Sequence, residues 1–112
     1  MRRGTKFGAI RTVVEGISFA SKREANRYAH LRLLQRAGEI EALVLQPAFP
    51  LKVVNLDTGE LTQIGTYRAD FWYLDTRTQQ PIVEDAKGWR TREYKRTKKH
   101  VEAQYGIRIV EV

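Results

Sequence analysis

Residues 67–89 read YRADFWYLDTRTQQPIVEDAKGW, and this stretch decides the fold. Two strand-like runs rich in aromatic and β-branched residues flank a polar turn. Side chains alternate faces along a strand with a period of two, so Asp85 and Lys87 share a face and Glu84 points the other way. If the runs pair as a hairpin, Asp70 lies beside Asp85 and Lys87. An aspartate inside an aromatic strand runs against strand propensity, and such departures are expected where function demands them. Two close carboxylates raise each other's pKa unless a cation intervenes. Hard oxygen ligands suit Mg²⁺. Lys87 adds a positive charge that fits a phosphodiester better than a carbonyl. The pattern predicts a divalent-metal site that acts on phosphodiesters.

The rest of the chain is consistent with such a partner. At 112 residues it is long enough for one domain with a small core, and 42% hydrophobic residues argue against disorder. The net charge of +7, with a pI near 10.0, favours an anionic partner, nucleic acid first. There is no cysteine, hence no disulfide framework and no thiolate zinc site. No apolar run approaches the roughly 20 residues that span a membrane. The opening MRRGTKFGAIR lacks the apolar segment of a secretory signal and reads as a basic arm over residues 1–11. A cytoplasmic location without membrane contact is expected.

Along the chain, residues 12–19 read as a short strand or hairpin turning near Gly16. Ser21 to Glu24 forms a capping box for a first helix that Gly38 closes. Ala25, Tyr28, Ala29, Leu31, Leu34 and Ala37 form its apolar face; Arg23, Arg27, His30, Arg32 and Arg36 form a basic one. Residues 40–45 are a short apolar run that Gln46-Pro47 breaks. Residues 49–54 and 61–74 read as partner strands around a glycine-bearing turn at 55–60. In the second, Tyr67, Ala69, Phe71 and Tyr73 share one face, and Arg68, Asp70, Trp72 and Leu74 the other. Aromatics on both faces suit a sheet covered on both sides. Pro81 opens the strand that carries Glu84, expected to be solvated or ion-paired, and Asp85; Gly88 then permits a close backbone approach. Thr91 caps a second helix that ends at Gly106, and residues 107–112 form a last strand. Arg90, Arg92, Lys95, Arg96, Lys98 and Lys99 crowd the start of that helix, either as a solvated face or as a phosphate-binding one. His30 and His100 sit in basic runs without a nucleophile partner or metal-ligand spacing.

Asp70, a strand-to-strand connection and Asp85-Ala86-Lys87 resemble the D…(D/E)xK signature of the PD-(D/E)xK nuclease superfamily. RADFWY and VEDAKGW resemble its small phage endonuclease and Holliday-junction resolvase branch, and the likeness runs from about Ser18 onward. Ala69 stands where the signature has proline, and Asp85 is one methylene shorter than the more usual glutamate. The resemblance implies a restriction-endonuclease-like αβββαβ core, a mixed central sheet flanked by helices, in a single domain over residues 1–112. It implies a Mg²⁺-dependent endodeoxyribonuclease, phage or prophage encoded and acting in a bacterial host cell, with Mn²⁺ as a substitute metal. Its substrate would be DNA, including branched DNA such as Holliday junctions in recombination. Asp70, Asp85 and the Ala86 carbonyl would hold the metal, and Lys87 would orient the attacking water or neutralise charge on the phosphate. Glu24 would be the first-helix glutamate that points into the site, a role that competes with helix capping. Arg23, Arg27, Arg90, Arg92, Lys95, Arg96, Lys98 and Lys99 would contact DNA. Cutting two strands of a junction implies a homodimer. The alternative is a non-cleaving DNA-binding or replication-accessory module on the same fold.

Overall fold

Both helices begin at a side-chain cap and end at a glycine. In the computed structural model, which describes residues 11–86 and 90–112, α1 spans Lys22–Arg36 and α2 spans Arg92–Tyr105. The Glu24 amide donates to Ser21 Oγ at 3.1 Å, and the Tyr94 amide donates to Thr91 Oγ1 at 3.0 Å. Each bond satisfies one of the donors that a helix start leaves without a partner. Gly106 closes α2 in the left-handed region, at φ 66°, where a side chain would be strained. The expected arm lies outside the described residues apart from Arg11, as do Lys87, Gly88 and Trp89.

Among the described residues eight strands accompany the helices: β1 (Thr12–Val14), β2 (Ile17–Phe19), β3 (Ile40–Leu45), β4 (Ala48–Val54), β5 (Leu61–Arg68), β6 (Phe71–Asp75), β7 (Gln80–Asp85) and β8 (Ile109–Glu111). A four-stranded sheet runs β3-β6-β7-β8. Its first three strands are antiparallel neighbours, and β8 joins β7 in parallel after the α2 crossover, so the fold is mixed α/β with a mixed sheet and two helices. β1 with β2 and β4 with β5 form separate two-stranded sheets. No helix among the described residues is long and apolar enough to cross a membrane.

One expectation fails here. Residues 61–74 are not one strand but two, in different sheets. The Ala69 amide donates to the Pro47 carbonyl at 3.1 Å, whereas the next amide, Asp70, donates to the Glu84 carbonyl at 3.0 Å. The chain thus changes partner within one residue. The face assignment fails with it. Tyr67 and Ala69 are buried with Val83, Val101 and Ile109, the cluster that includes α2. Phe71 and Tyr73 are buried with Phe19, Ala25, Tyr28, Leu31 and Ile40, the cluster that includes α1. Alternation assumes a continuous strand, and neither glycine nor proline marks the break.

Glu84 is ion-paired, not solvated. It is 1% exposed and faces α1, where Arg27 Nε donates to Oε1 at 2.8 Å and Nη2 to Oε2 at 2.6 Å. The Tyr73 hydroxyl also donates to Oε2. The bond to Glu84 pushes the Arg27 pKa above its ordinary value against the pull of burial. Burial, followed by the bond to Glu84, pushes Tyr73 above the ordinary phenol range. Arg27 therefore ties α1 to β7 with the guanidinium that the sequence offered to DNA. Losing one partner of a buried pair leaves a desolvated charge, at a cost of about 3 kcal/mol. Arg27→Met should lower the thermal midpoint by roughly 10 °C or more at this chain length, and adding Glu84→Leu should restore much of it. Equal melting of Arg27→Met and wild type would show that the pair does not hold α1 in place.

Candidate functional site

The partner switch leaves Asp70 beside the strand end that carries Asp85. Phe71–Glu84 is the last pair of the β6–β7 ladder, and Asp70, just before it, donates its amide to the Glu84 carbonyl at 3.0 Å. Asp70 Oδ2 accepts the Ala86 amide at 2.7 Å, which ties the first acid to the residue after the second. Asp85 is fully buried, and its Oδ2 accepts the Tyr67 hydroxyl. Because adjacent strand residues point to opposite faces, Glu84 meets α1 and Asp85 meets the cluster around α2. The Val112 amide donates to the Asp85 carbonyl at 3.0 Å and fixes this strand end from the other side.

Three polar side chains near Asp85 were not assigned to the site by the sequence reading: Tyr67 donates to it, its charge raises the Tyr94 pKa, and Glu111 is its neighbour in the β7–β8 register. In sequence, Tyr67 falls on one face of its strand, Tyr94 within the second helix and Glu111 within the last strand. A tyrosine has an apolar body and a polar tip, and sequence alone does not say where the hydroxyl goes. Glu111 sits beside Asp85 in the parallel register of β7 and β8. Its Oε2 accepts the Tyr94 hydroxyl at 3.0 Å and Lys98 Nζ at 3.3 Å, and its Oε1 lies 3.3 Å from Arg90 Nε. Burial, then the charge of Asp85, then the bond to Glu111 push Tyr94 well above the ordinary phenol range, so it stays a donor. Burial would raise Glu111, but the bonds from Tyr94 and Lys98 and the charges of Lys98 and Arg90 outweigh it and hold its pKa below the ordinary 4.5.

The remaining candidates divide. Glu24 is 6% exposed at the third position of α1, one turn before Arg27, on the side of the helix that meets the sheet. Its backbone amide completes one half of the capping box. Among the described residues no group of three or more His, Cys, Asp or Glu stands ready to hold a metal ion. The pair of aspartates still fits magnesium, which is commonly held by one or two carboxylates plus waters and substrate phosphates. The Ala86 amide is engaged with Asp70, which sets its peptide beside both acids. Lys87 lies outside the described residues. Arg23 Nη1 reaches the Val112 carbonyl at 3.4 Å, near the same strand end. Arg92, Lys95, Arg96 and Lys99 are exposed on α2, whereas Arg90 and Lys98 are drawn to Glu111.

These elements define a small mixed α/β domain with two aspartates at the end of its sheet. Over residues 4–110 the chain matches the family model described as "Protein of unknown function (DUF1064)", and it belongs to that family. No curated protein and no solved structure matches it.

The depressed pKa of Glu111 makes a pH prediction. A carboxylate with a lowered folded pKa contributes stability above its unfolded value, near 4.5, and loses that contribution as pH falls through the folded value. Glu111→Gln should therefore melt below wild type at pH 7, and the gap should narrow by pH 3. A gap that stays constant between these pH values would mean that the bonds to Tyr94, Lys98 and Arg90 do not stabilise the ionised form.

Proposed function

We propose that the chain is a Mg²⁺-dependent endodeoxyribonuclease on a restriction-endonuclease-like core. The observation that carries this reading is the bond from the Ala86 amide to Asp70 Oδ2 at 2.7 Å, which ties Asp70 to the residue that follows Asp85. Supporting it, α1, β3, β6, β7, α2 and β8 follow the order αβββαβ, with the β4–β5 hairpin between the first two strands of the central sheet. The exposed cations of α2 begin just after the site and would draw in a DNA backbone.

Asp70 and Asp85 would hold the metal through their carboxylates. A bound magnesium supplies Lewis acidity and a more acidic water. The Tyr67 hydroxyl orients the Asp85 carboxylate through its hydrogen bond. Lys87, two residues beyond Asp85, would steady charge developing on the phosphate. Arg23, Arg92, Lys95, Arg96 and Lys99 serve binding. Branched DNA is a fitting substrate, and resolving it would require two such sites in a homodimer.

Supercoiled plasmid, a four-way junction and single-stranded DNA should be cut with Mg²⁺ and left intact with EDTA. Asp70→Asn and Asp85→Asn should abolish cutting while keeping or improving DNA binding, since each removes a negative charge near phosphate. Lys87→Ala should slow single-turnover cleavage by roughly 100-fold or more without weakening Mg²⁺ binding. DNA binding with no cutting of any substrate would favour the non-cleaving module instead.

Glu24→Gln separates capping from metal binding, because glutamine can still complete a capping box. The variant should match wild type in thermal midpoint with EDTA, gain less on adding Mg²⁺ and cut more slowly. A metal-induced shift and cleavage rate equal to wild type would leave Glu24 a cap alone.

A further inference from the structure

Between α2 and β8 lies a recess of about 330 Å³ lined by Arg90, Lys95, Lys98, Lys99, Glu102 and Glu111. That volume is at the small end of ligand pockets, which run from roughly 300 to 1,000 Å³. Lys95, Lys98, Lys99 and Glu102 follow helical spacing along one face of α2. Glu111 forms the opposite wall from β8, one strand away from Asp85.

The charges in this recess are partly neutralised in a definite way. Arg90 and Lys98 both lean on Glu111, each at 3.3 Å. Glu102 Oε2 accepts the Ile109 amide at 2.8 Å. Among the described residues no hydrogen bond or ion pair engages the side chain of Lys95 or of Lys99. Four cations against two carboxylates leave a net charge of +2, with the two uncommitted ammonium groups one helical turn apart. A phosphodiester carries one negative charge. A phosphate monoester carries about −1.5 to −2 at neutral pH and offers three strong acceptor oxygens.

We propose that this recess is a phosphate monoester site whose ligand is the terminal phosphate of a DNA strand. Lys95 and Lys99 close on the phosphate oxygens, while Glu111 holds Lys98 and Arg90 at the rim and keeps the site from simply accumulating diesters. Glu111, one wall of the site, lies one strand spacing, about 5 Å, from Asp85. A strand end seated in the recess would lay its neighbouring phosphodiester near Asp70 and Asp85; only this last point rests on the nuclease reading.

The test is binding in EDTA, so that it is independent of cutting. Internally labelled single-stranded oligonucleotides carrying a 5′-phosphate, a 3′-phosphate or hydroxyls at both ends are titrated with the full chain. One phosphorylated end should bind about tenfold tighter than the hydroxyl strand, the gain of one charge-assisted contact. Millimolar inorganic phosphate should erase that preference. In Lys95→Ala/Lys99→Ala, checked for folding by its melt, all three strands should bind alike. The ratio between strands cancels the general loss of electrostatic affinity. Equal binding of all ends by wild type, or a preference that survives in the double variant, would overturn the site. Saturable binding of a nucleoside monophosphate without any preference among strand ends would overturn the strand-end ligand. A chain that prefers a phosphorylated end but cuts no DNA would retain this site and lose the nuclease reading.

Discussion

The hand-over of backbone hydrogen bonds between Ala69 and Asp70 is the constraint on which the remaining arrangement depends. One amide completes pairing with the segment before β4, and the next begins pairing with β7. Buried backbone groups must be satisfied, so a strand can leave one sheet for another only where both partners are at hand. That requirement brings Pro47, Asp70 and Glu84 to one place. It stops β5, starts β6 and leaves an aspartate at the junction, where a central strand position would have buried it in the ladder.

The same junction separates two cores. Phe71 and Tyr73 pack beneath α1 with Leu31 and Tyr28, while Tyr67 and Ala69 pack with Val101 of α2 and Ile109 of β8. Glu84 and Asp85 are adjacent and both almost completely buried, yet they meet different chemistry because the pleat sends them to opposite sides. Glu84 finds a guanidinium and a phenol that neutralise and satisfy it, a structural arrangement. Asp85 finds the Tyr67 hydroxyl and the charge-sensitive Tyr94, and the residue after it is tied to Asp70. A burial pattern alone would rank the two acids equally; their partners distinguish a fastening from a candidate site.

Electrostatics on the α2 side follow from the parallel crossover. Because β8 returns beside β7, Glu111 arrives next to Asp85 and draws Arg90, Lys98 and Tyr94 around it. The cations of α2 are therefore not one uniform solvated stripe. Lys98 is held against the sheet by Glu111, which Arg90 also meets just before the helix, and Arg92, Lys95, Arg96 and Lys99 remain exposed for an anionic partner.

The sequence by itself determined whatever depends on local chemistry. Ser21 and Thr91 marked the helix starts, Gly106 ended α2, and the turn before Leu61 closed a hairpin, because caps and turns are settled by a few neighbouring residues. It also singled out Asp70 and Asp85, since acids inside apolar strands conflict with their surroundings. Tertiary structure decided what depends on partners distant in the chain. Only the packed sheet shows that residues 61–74 divide at Ala69 and Asp70, a break with no glycine or proline to announce it. Only the packed helices show that Arg27 turns inward to Glu84 and that Tyr67, Tyr94 and Glu111 gather around Asp85. Arginine and tyrosine are amphipathic, equally suited to surface and interior, and which end they bury is settled by what stands opposite them.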